Sequence, residues 1–288
     1  MSQRAKGFAF VIISAMFFGL VPLYVKTAMA GGGNSISVAF YRFLLSLPAL
    51  YIVLKIKKEP MAITMDQFKK IILITACGYG GTTVLLFSAY NFIPTGMATT
   101  LHFVYPVFTI IGCIVFFKAK INLLKIISAI LCMSGIILFY NGEGGANLLG
   151  MTLAFMSGLT YTFYVIYLDK GGLGQMPAIK LIFYMNCVAA VMIFIVAMVT
   201  GEFTADLTPQ AWVVLLVFAS LTSLVGVFGF QIGVKYIGPE SASILSTFEP
   251  ITSVIIGVLV YQESFDLKTI LGCVCILTST IIVAKMEE

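Results

Sequence analysis

The chain has 288 residues, 60% hydrophobic and only 10% charged, with a mean hydropathy of +1.06. A soluble domain carries about 25% charged residues, so the bilayer, not water, is the solvent for this chain. Its net charge of +5 does not point to nucleic acid, because the cations sit in short loops between apolar runs, where membrane topology puts them.

A spanning helix needs roughly 20 apolar residues, so the length accommodates about ten spans and no soluble domain. Arg4 and Lys6 precede a run that continues past Lys26 without a small-residue cleavage site, which reads as a first span rather than a leader. The predicted spans lie near 7–29, 35–55, 68–90, 95–117, 122–140, 147–168, 177–200, 210–234, 241–262 and 267–285. Turn chemistry separates them: Gly31 to Asn34, Glu59-Pro60, Asn141 to Asn147, Gly171 to Pro177, Gly201 to Pro209 and Gly238-Pro239. Several loops are only a few residues long, which makes neighbouring helices antiparallel hairpins. Cys77, Cys113, Cys132, Cys187, Cys273 and Cys275 all lie in apolar runs with no metal-ligand spacing, and read as small packing residues. No metal or cofactor is expected.

With the amino terminus in the cytoplasm, that side receives Arg4, Lys6, Lys55, Lys57, Lys58, Lys69, Lys70, Lys118, Lys120, Lys125, Lys170, Lys180, Lys235 and Lys285. The outside receives Lys26 and Lys268, and Arg42 stays within the membrane. This positive-inside bias puts both termini in the cytoplasm.

The chain also repeats itself. At an offset of 144 residues, Phe87–Ser134 falls on Gln231–Thr278 without a gap. Ile93 meets Ile237, Leu101 meets Leu245, Pro106 meets Pro250 and Ile126 meets Ile270. Five spans per half is an odd number, so the second half crosses the membrane upside down. The loop Lys118-Ala119-Lys120 corresponds to Gln262-Glu263-Ser264, and the change of charge sign fits loops on opposite sides. The expected architecture is an all-α membrane protein of ten helices in two inverted five-helix repeats, residues 1–143 and 144–288. Such repeats point to a transporter with its substrate site between the halves.

The sequence resembles the drug/metabolite transporter superfamily, specifically its ten-helix EamA-type members. The resemblance covers essentially the whole chain. It rests on length, on the five-plus-five repeat and on the stretch from Phe248-Glu249-Pro250-Ile251-Thr252 to Tyr261-Gln262-Glu263-Ser264. The first copy departs from that pattern, with Tyr105 in place of Glu249 and Ala119 in place of Glu263. The resemblance implies a secondary transporter exporting small metabolites such as amino acids, or drugs. It leaves the substrate open among amino acids, drugs, nucleotide sugars, phosphorylated sugars and quaternary amines.

Glu249 is the foremost candidate residue. A carboxylate near the middle of the ninth span costs several kcal/mol unless it is paired, hydrated or protonated. Pro250 follows it and removes the bond to the Ser246 carbonyl, so a cation or proton site could form there. The alternative is a structural contact to nearby hydroxyls. His102 lies four residues before Pro106, aligns with Ser246, and either relays protons or serves as a neutral hydrogen bonder. Tyr105 aligns with Glu249 and shares a face with His102. Pro106 and Pro250 are the expected gating positions. Arg42, in the second span, either meets an anionic substrate group or snorkels outward. Tyr79, Tyr161, Tyr164, Tyr184 and Asn186 could line a cavity, the tyrosines by stacking or by enclosing an ammonium, or could simply pack between helices. Gly226, Gly229 and Gly233, like Gly78, Gly80 and Gly81, read as close-packing faces.

Arg42 with His102 leans toward an anionic substrate and Glu249 with tyrosines toward a cationic one. Together they suit a zwitterionic amino acid. The expected cavity is lined by the first, third, fourth, sixth, eighth and ninth spans. The expected partners are a small-molecule substrate, the lipid bilayer and, for coupling, protons, with a monomer sufficient. A facilitative uniporter is equally compatible with these residues. An intramembrane enzyme would need grouped acid–base residues, and one His with mostly isolated acids does not supply them. A channel would need rings of like charge or polar pore faces.

Overall fold

The computed structural model describes residues 2–93, 95–120, 122–138, 147–261 and 267–286. Its helical segments are α1 (Gln3–Ala30), α2 (Ser35–Ile56), α3 (Met65–Ala89), α4 (Met97–Phe117), α5 (Leu123–Leu138), α6 (Leu148–Lys170), α7 (Ala178–Thr200), α8 (Pro209–Leu245), α9 (Phe248–Tyr261) and α10 (Leu267–Met286). Seven of them, α1–α4 and α6–α8, are long and apolar enough to cross a membrane. Leu123–Leu138 and Ile270–Val283 are shorter apolar helices. The 141–146 connection and the Gln262-Glu263-Ser264 loop with Asp266 lie outside the described residues.

Polar side chains start these helices. Ser2, Asn34, Asn147 and Thr208 each accept from a backbone N–H of the first turn, and Thr64 with Gln67 forms a reciprocal capping box. Proline breaks them. α1 is interrupted at Gly19-Leu20 ahead of Pro22, α2 at Leu45-Ser46 ahead of Pro48, and α4 at Phe103-Val104 ahead of Pro106. In each case the proline falls in the first turn of the second arm, where its missing N–H leaves no bond unmade. α8 turns at Gly238 (φ 77°), ahead of Pro239, and its short arm 239–245 leads through Ser246-Thr247 into α9. One expectation is corrected here. The Ser246 carbonyl is not left free by Pro250, because the chain tightens and Glu249 N–H donates to it at 3.0 Å. Wider π-helical turns occupy Thr75–Tyr79 in α3 and Thr222–Val227 in α8.

The segments pair in a pattern that recurs between the halves. α5 packs along α10 and α2 along α7, while α1 packs on α8 and α6 on α3. Shifted by the repeat offset, α1 and α8 become α6 and α3, so the last two pairings are mates. Small residues permit the approach. A Cβ on Gly78 would stand 2.9 Å from Tyr164 Cβ, and one on Gly229 would stand 2.8 Å from the Phe10 carbonyl oxygen.

The bundle has two chemically distinct ends. At one, Lys180 Nζ donates to the Ala62 carbonyl (2.6 Å), Lys235 Nζ to the Gly174 carbonyl (3.4 Å), and Lys125 pairs with Glu240 (2.6 Å). At the other, Asn34 and Ser37 donate to the Glu202 carbonyl (2.6 and 3.0 Å), and Tyr41 Oη donates to the Thr204 carbonyl (3.0 Å). Between the ends the outer surface is apolar, with mid-helix side chains such as Ile130, Val191 and Val274 exposed, as lipid contact requires.

Gly78→Leu forces α3 away from α6 and is expected to destabilise the fold by about 1–3 kcal/mol. A lowered thermal unfolding midpoint in detergent checks this. Gly174→Ala, whose Cβ meets nothing within 4 Å, leaves the midpoint unchanged.

Candidate functional site

Where the broken segments meet, they enclose a cavity of about 70 Å³. Its wall draws on α1 (Phe18, Val21, Pro22), α2 (Arg42), α3 (Tyr79, Thr82, Thr83, Leu86, Phe87, Tyr90), α4 (Thr99, His102, Tyr105), α6 (Tyr161, Tyr164), α8 (Val227, Phe230) and α9 (Glu249). The expected set of lining spans omitted α2, which contributes Arg42, a residue that was nonetheless a candidate on its own.

Arg42 is 7% exposed and does not snorkel out of the fold. Its Nη1 donates to Thr83 Oγ1 at 3.3 Å, and its guanidinium carbon lies 5.3 Å from the Phe43 ring centre and 6.0 Å from those of Tyr79 and Phe87. Thr83 takes one of the five N–H donors of the side chain. Thr83 Oγ1 donates in turn to the Tyr79 carbonyl (3.1 Å). Glu249 lies at the start of α9, just past the break, and lines the same cavity. Among the described residues no ion pair joins it to Arg42 and no side chain donates to its carboxylate.

Much of the remaining wall is aromatic. Tyr161 packs edge-on to Tyr105 (4.7 Å between ring centres) and against Tyr164 (5.4 Å) and Phe230 (5.8 Å). Tyr79 stacks on Tyr164 at 5.5 Å. The Tyr79 hydroxyl is buried beside Arg42 with no hydrogen-bond partner of good geometry among the described residues, so it can donate to whatever occupies the cavity.

Hydroxyl chains fix His102 and Tyr105. Ser157 Oγ donates to the Ala154 carbonyl (2.6 Å), so it accepts from His102 Nδ1–H (2.9 Å). Ser246 Oγ donates to the Ser243 carbonyl (2.8 Å), so it accepts from the Tyr105 hydroxyl. That last bond joins the two repeats, and its counterpart under the alignment is the pair His102 and Glu249, since Tyr105 matches Glu249 and Ser246 matches His102. Pro106 and Pro250 lie behind these residues, each in the first turn after a break.

Asn186 does not join this group. Its Nδ2 donates to Ser46 Oγ (2.7 Å) and Ser223 Oγ (3.0 Å), tying α7 to α2 and α8 away from the cavity wall. Tyr184 donates to the Met61 carbonyl at the lysine-rich end. Of the α3 stripe Tyr79, Thr82, Thr83, Leu86, Tyr90, sequence reasoning picked out Tyr79 and missed the other four. The stripe's three- and four-residue spacing is one helix face, and that spacing was the available signal.

Comparison with known proteins follows the same halves. The model of the EamA-like transporter family matches residues 5–141 and again residues 148–285. The uncharacterized transporter YcbK of Bacillus subtilis is 27% identical over 290 residues, spanning 94% of this chain and 90% of its own. An uncharacterized transporter of Haemophilus influenzae is 24% identical, spanning 91% and 86%. An uncharacterized transporter of Synechocystis is 27% identical over 71% of this chain, but the match spans only 63% of that relative's length. A solved crystal structure at 12% identity superposes with a TM-score of 0.82 over 99% of this chain and 98% of its own, a likeness of fold.

Asn186→Ala removes the donor that two buried hydroxyls share and is expected to cost about 1–3 kcal/mol of stability. A fall in the unfolding midpoint checks this, with ligand affinity at the cavity unchanged.

Proposed function

The chain is a member of the EamA-like transporter family, a multi-pass integral protein of the cell membrane, and from that premise we propose that it moves small zwitterionic metabolites, amino acids foremost, out of the cell by alternating access. In this reading the ten segments are ten spans in two inverted repeats, 1–143 and 144–288, with the lysine-rich end and both termini in the cytoplasm. The lysine and arginine bias supports that orientation. The pairings that recur between the halves support the exchange of roles that inverted repeats permit.

The observation that carries the reading is that Arg42 and Glu249 line one small chamber without pairing. A cargo carboxylate meets the forked donors of Arg42. A cargo ammonium meets Glu249 and the faces of the surrounding tyrosines. The Tyr79 hydroxyl adds one donor. The chamber, at about 70 Å³, is far below the roughly 300 Å³ that encloses even a small drug-like ligand. Admission and release therefore require the repeats to move apart, and the proline-bounded breaks let arms move without unwinding whole helices. A proton and an ammonium compete for the Glu249 carboxylate, which supports inward proton movement in exchange for outward cargo. The aromatic wall alone would also suit a quaternary amine, but Arg42 in the same chamber repels a bare cation.

The test is flux through purified protein in proteoliposomes, with amino acids beside organic cations, and with and without an imposed pH gradient. Gradient-driven amino acid movement is expected. Arg42→Gln lowers it about ten- to a hundredfold, the worth of a hydrogen bond to a charged group, and Glu249→Gln removes its response to the gradient. Transport of organic cations in place of amino acids, or amino acid flux indifferent to pH and to both variants, overturns the reading.

A further inference from the structure

A second void lies toward the lysine-rich end. It measures about 420 Å³, and its lining includes Lys57, Glu59, Asp169, Phe228, Gln231 and Lys235. Five residues of α8 line it, and four of them, Phe228, Gln231, Ile232 and Lys235, recur at three- and four-residue helical spacing. The neighbouring face of α8 presents Val227 and Phe230 to the central cavity instead. One helix thus walls both chambers.

The partition between the chambers is thin. Tyr164 lines the central cavity, Gln231 lines the second void, and Gln231 Nε2 donates to Tyr164 Oη at 3.3 Å. Tyr164 is stacked between Tyr79 (5.5 Å) and Phe230 (6.2 Å), so the plate is aromatic and this bond is a polar tie across it. The tie is long, and its donor amide is under-used. Gln231 is 4% exposed, its second contact is to Met185 Sδ at 3.7 Å, and its Oε1 has no partner among the described residues. An amide buried with an idle acceptor gains little from staying where it is.

We propose that the Gln231–Tyr164 pair is the gate between the central cavity and this vestibule, and that the vestibule is the second half of the permeation path. The proposal rests on the transport reading, but its test needs no known substrate. When the pair parts, Tyr164 swings on its ring and the central chamber joins a volume large enough for a small metabolite. The Gln231 Oε1 is then an acceptor for a cargo ammonium at the opening itself, inward of the Glu59 and Asp169 carboxylates that line the vestibule. When the pair forms, the chamber is sealed from that end.

The experiment replaces the six native cysteines and introduces Thr82→Cys as a reporter in the central cavity. A charged, membrane-impermeant methanethiosulfonate is applied to intact spheroplasts and to inverted membrane vesicles, so each side is probed separately. Gly174→Cys, which borders the vestibule, identifies the side on which the vestibule opens. Gln231→Leu and Tyr164→Phe each remove the bond while keeping bulk, and the second deletes a single oxygen. Each is expected to raise reporter labelling from the vestibule side roughly three- to tenfold, the factor one net hydrogen bond supplies. Labelling from the opposite side stays the same, and the double variant is no faster than the singles. Unchanged vestibule-side labelling in both variants overturns the gate, as does an equal rise from both sides, which reports general loosening. If the gate result holds while amino acid flux fails, the substrate reading falls and the gate stands.

Discussion

Two charged side chains inside a bundle with almost no other interior charge set the terms for this protein. A guanidinium and a carboxylate at membrane depth are stable only where polar groups, aromatic faces or water surround them. Arg42 and Glu249 have such a place in one chamber, ringed by tyrosines and hydroxyls. That chamber is held open by the way the helices are broken. The segments that bring Arg42, His102 and Glu249 to it (α2, α4, and α8 running into α9) each carry an interruption beside a proline. The prolines sit where a helix can start, so the breaks leave few unsatisfied backbone groups in an environment that has no water to cover them.

The same constraint explains the hydroxyl pattern. Serines and threonines around the breaks donate back to carbonyls three or four residues earlier, as at Ser157, Ser246, Thr109 and Thr162. Their oxygens are then free to accept from His102 and Tyr105. The result is a set of polar side chains whose positions are fixed before any ligand arrives, which reduces the ordering cost of binding. Glycines complete the arrangement by letting α6 meet α3, and α1 meet α8, at backbone distance.

The helical, membrane-spanning character and the repeat were legible because composition and proline placement state them directly. The charged members of the chamber were legible because a charge in an apolar run is rare and needs a reason. Pro22 and Pro48 were not recognised as breaks, because a proline near the middle of a span looks the same whether it kinks a helix or starts a new arm. The Ser246 carbonyl was expected to be free; one residue of tighter winding supplied a donor from Glu249 instead, a local rearrangement that spacing does not encode. Asn186 was assigned to the cavity on polarity alone. In a bilayer an asparagine that ties three helices together and one that meets cargo have the same sequence signature. The threonines and leucine of the α3 face were passed over for the opposite reason, being ordinary membrane residues whose importance comes from where the face points.

The most direct measurement is ligand-induced thermal stabilisation of the purified protein across a matched series: an amino acid, its decarboxylated amine and its deaminated acid. If Arg42 and Glu249 hold the two ends of one cargo, the amino acid raises the unfolding midpoint and neither half-molecule does so at the same concentration. Arg42→Gln and Glu249→Gln should each bring the amino acid down to the level of the corresponding half-molecule. A decarboxylated amine that stabilises as well as the parent amino acid, and does so equally in Arg42→Gln, would contradict the shared-chamber reading and leave Arg42 as a structural cation.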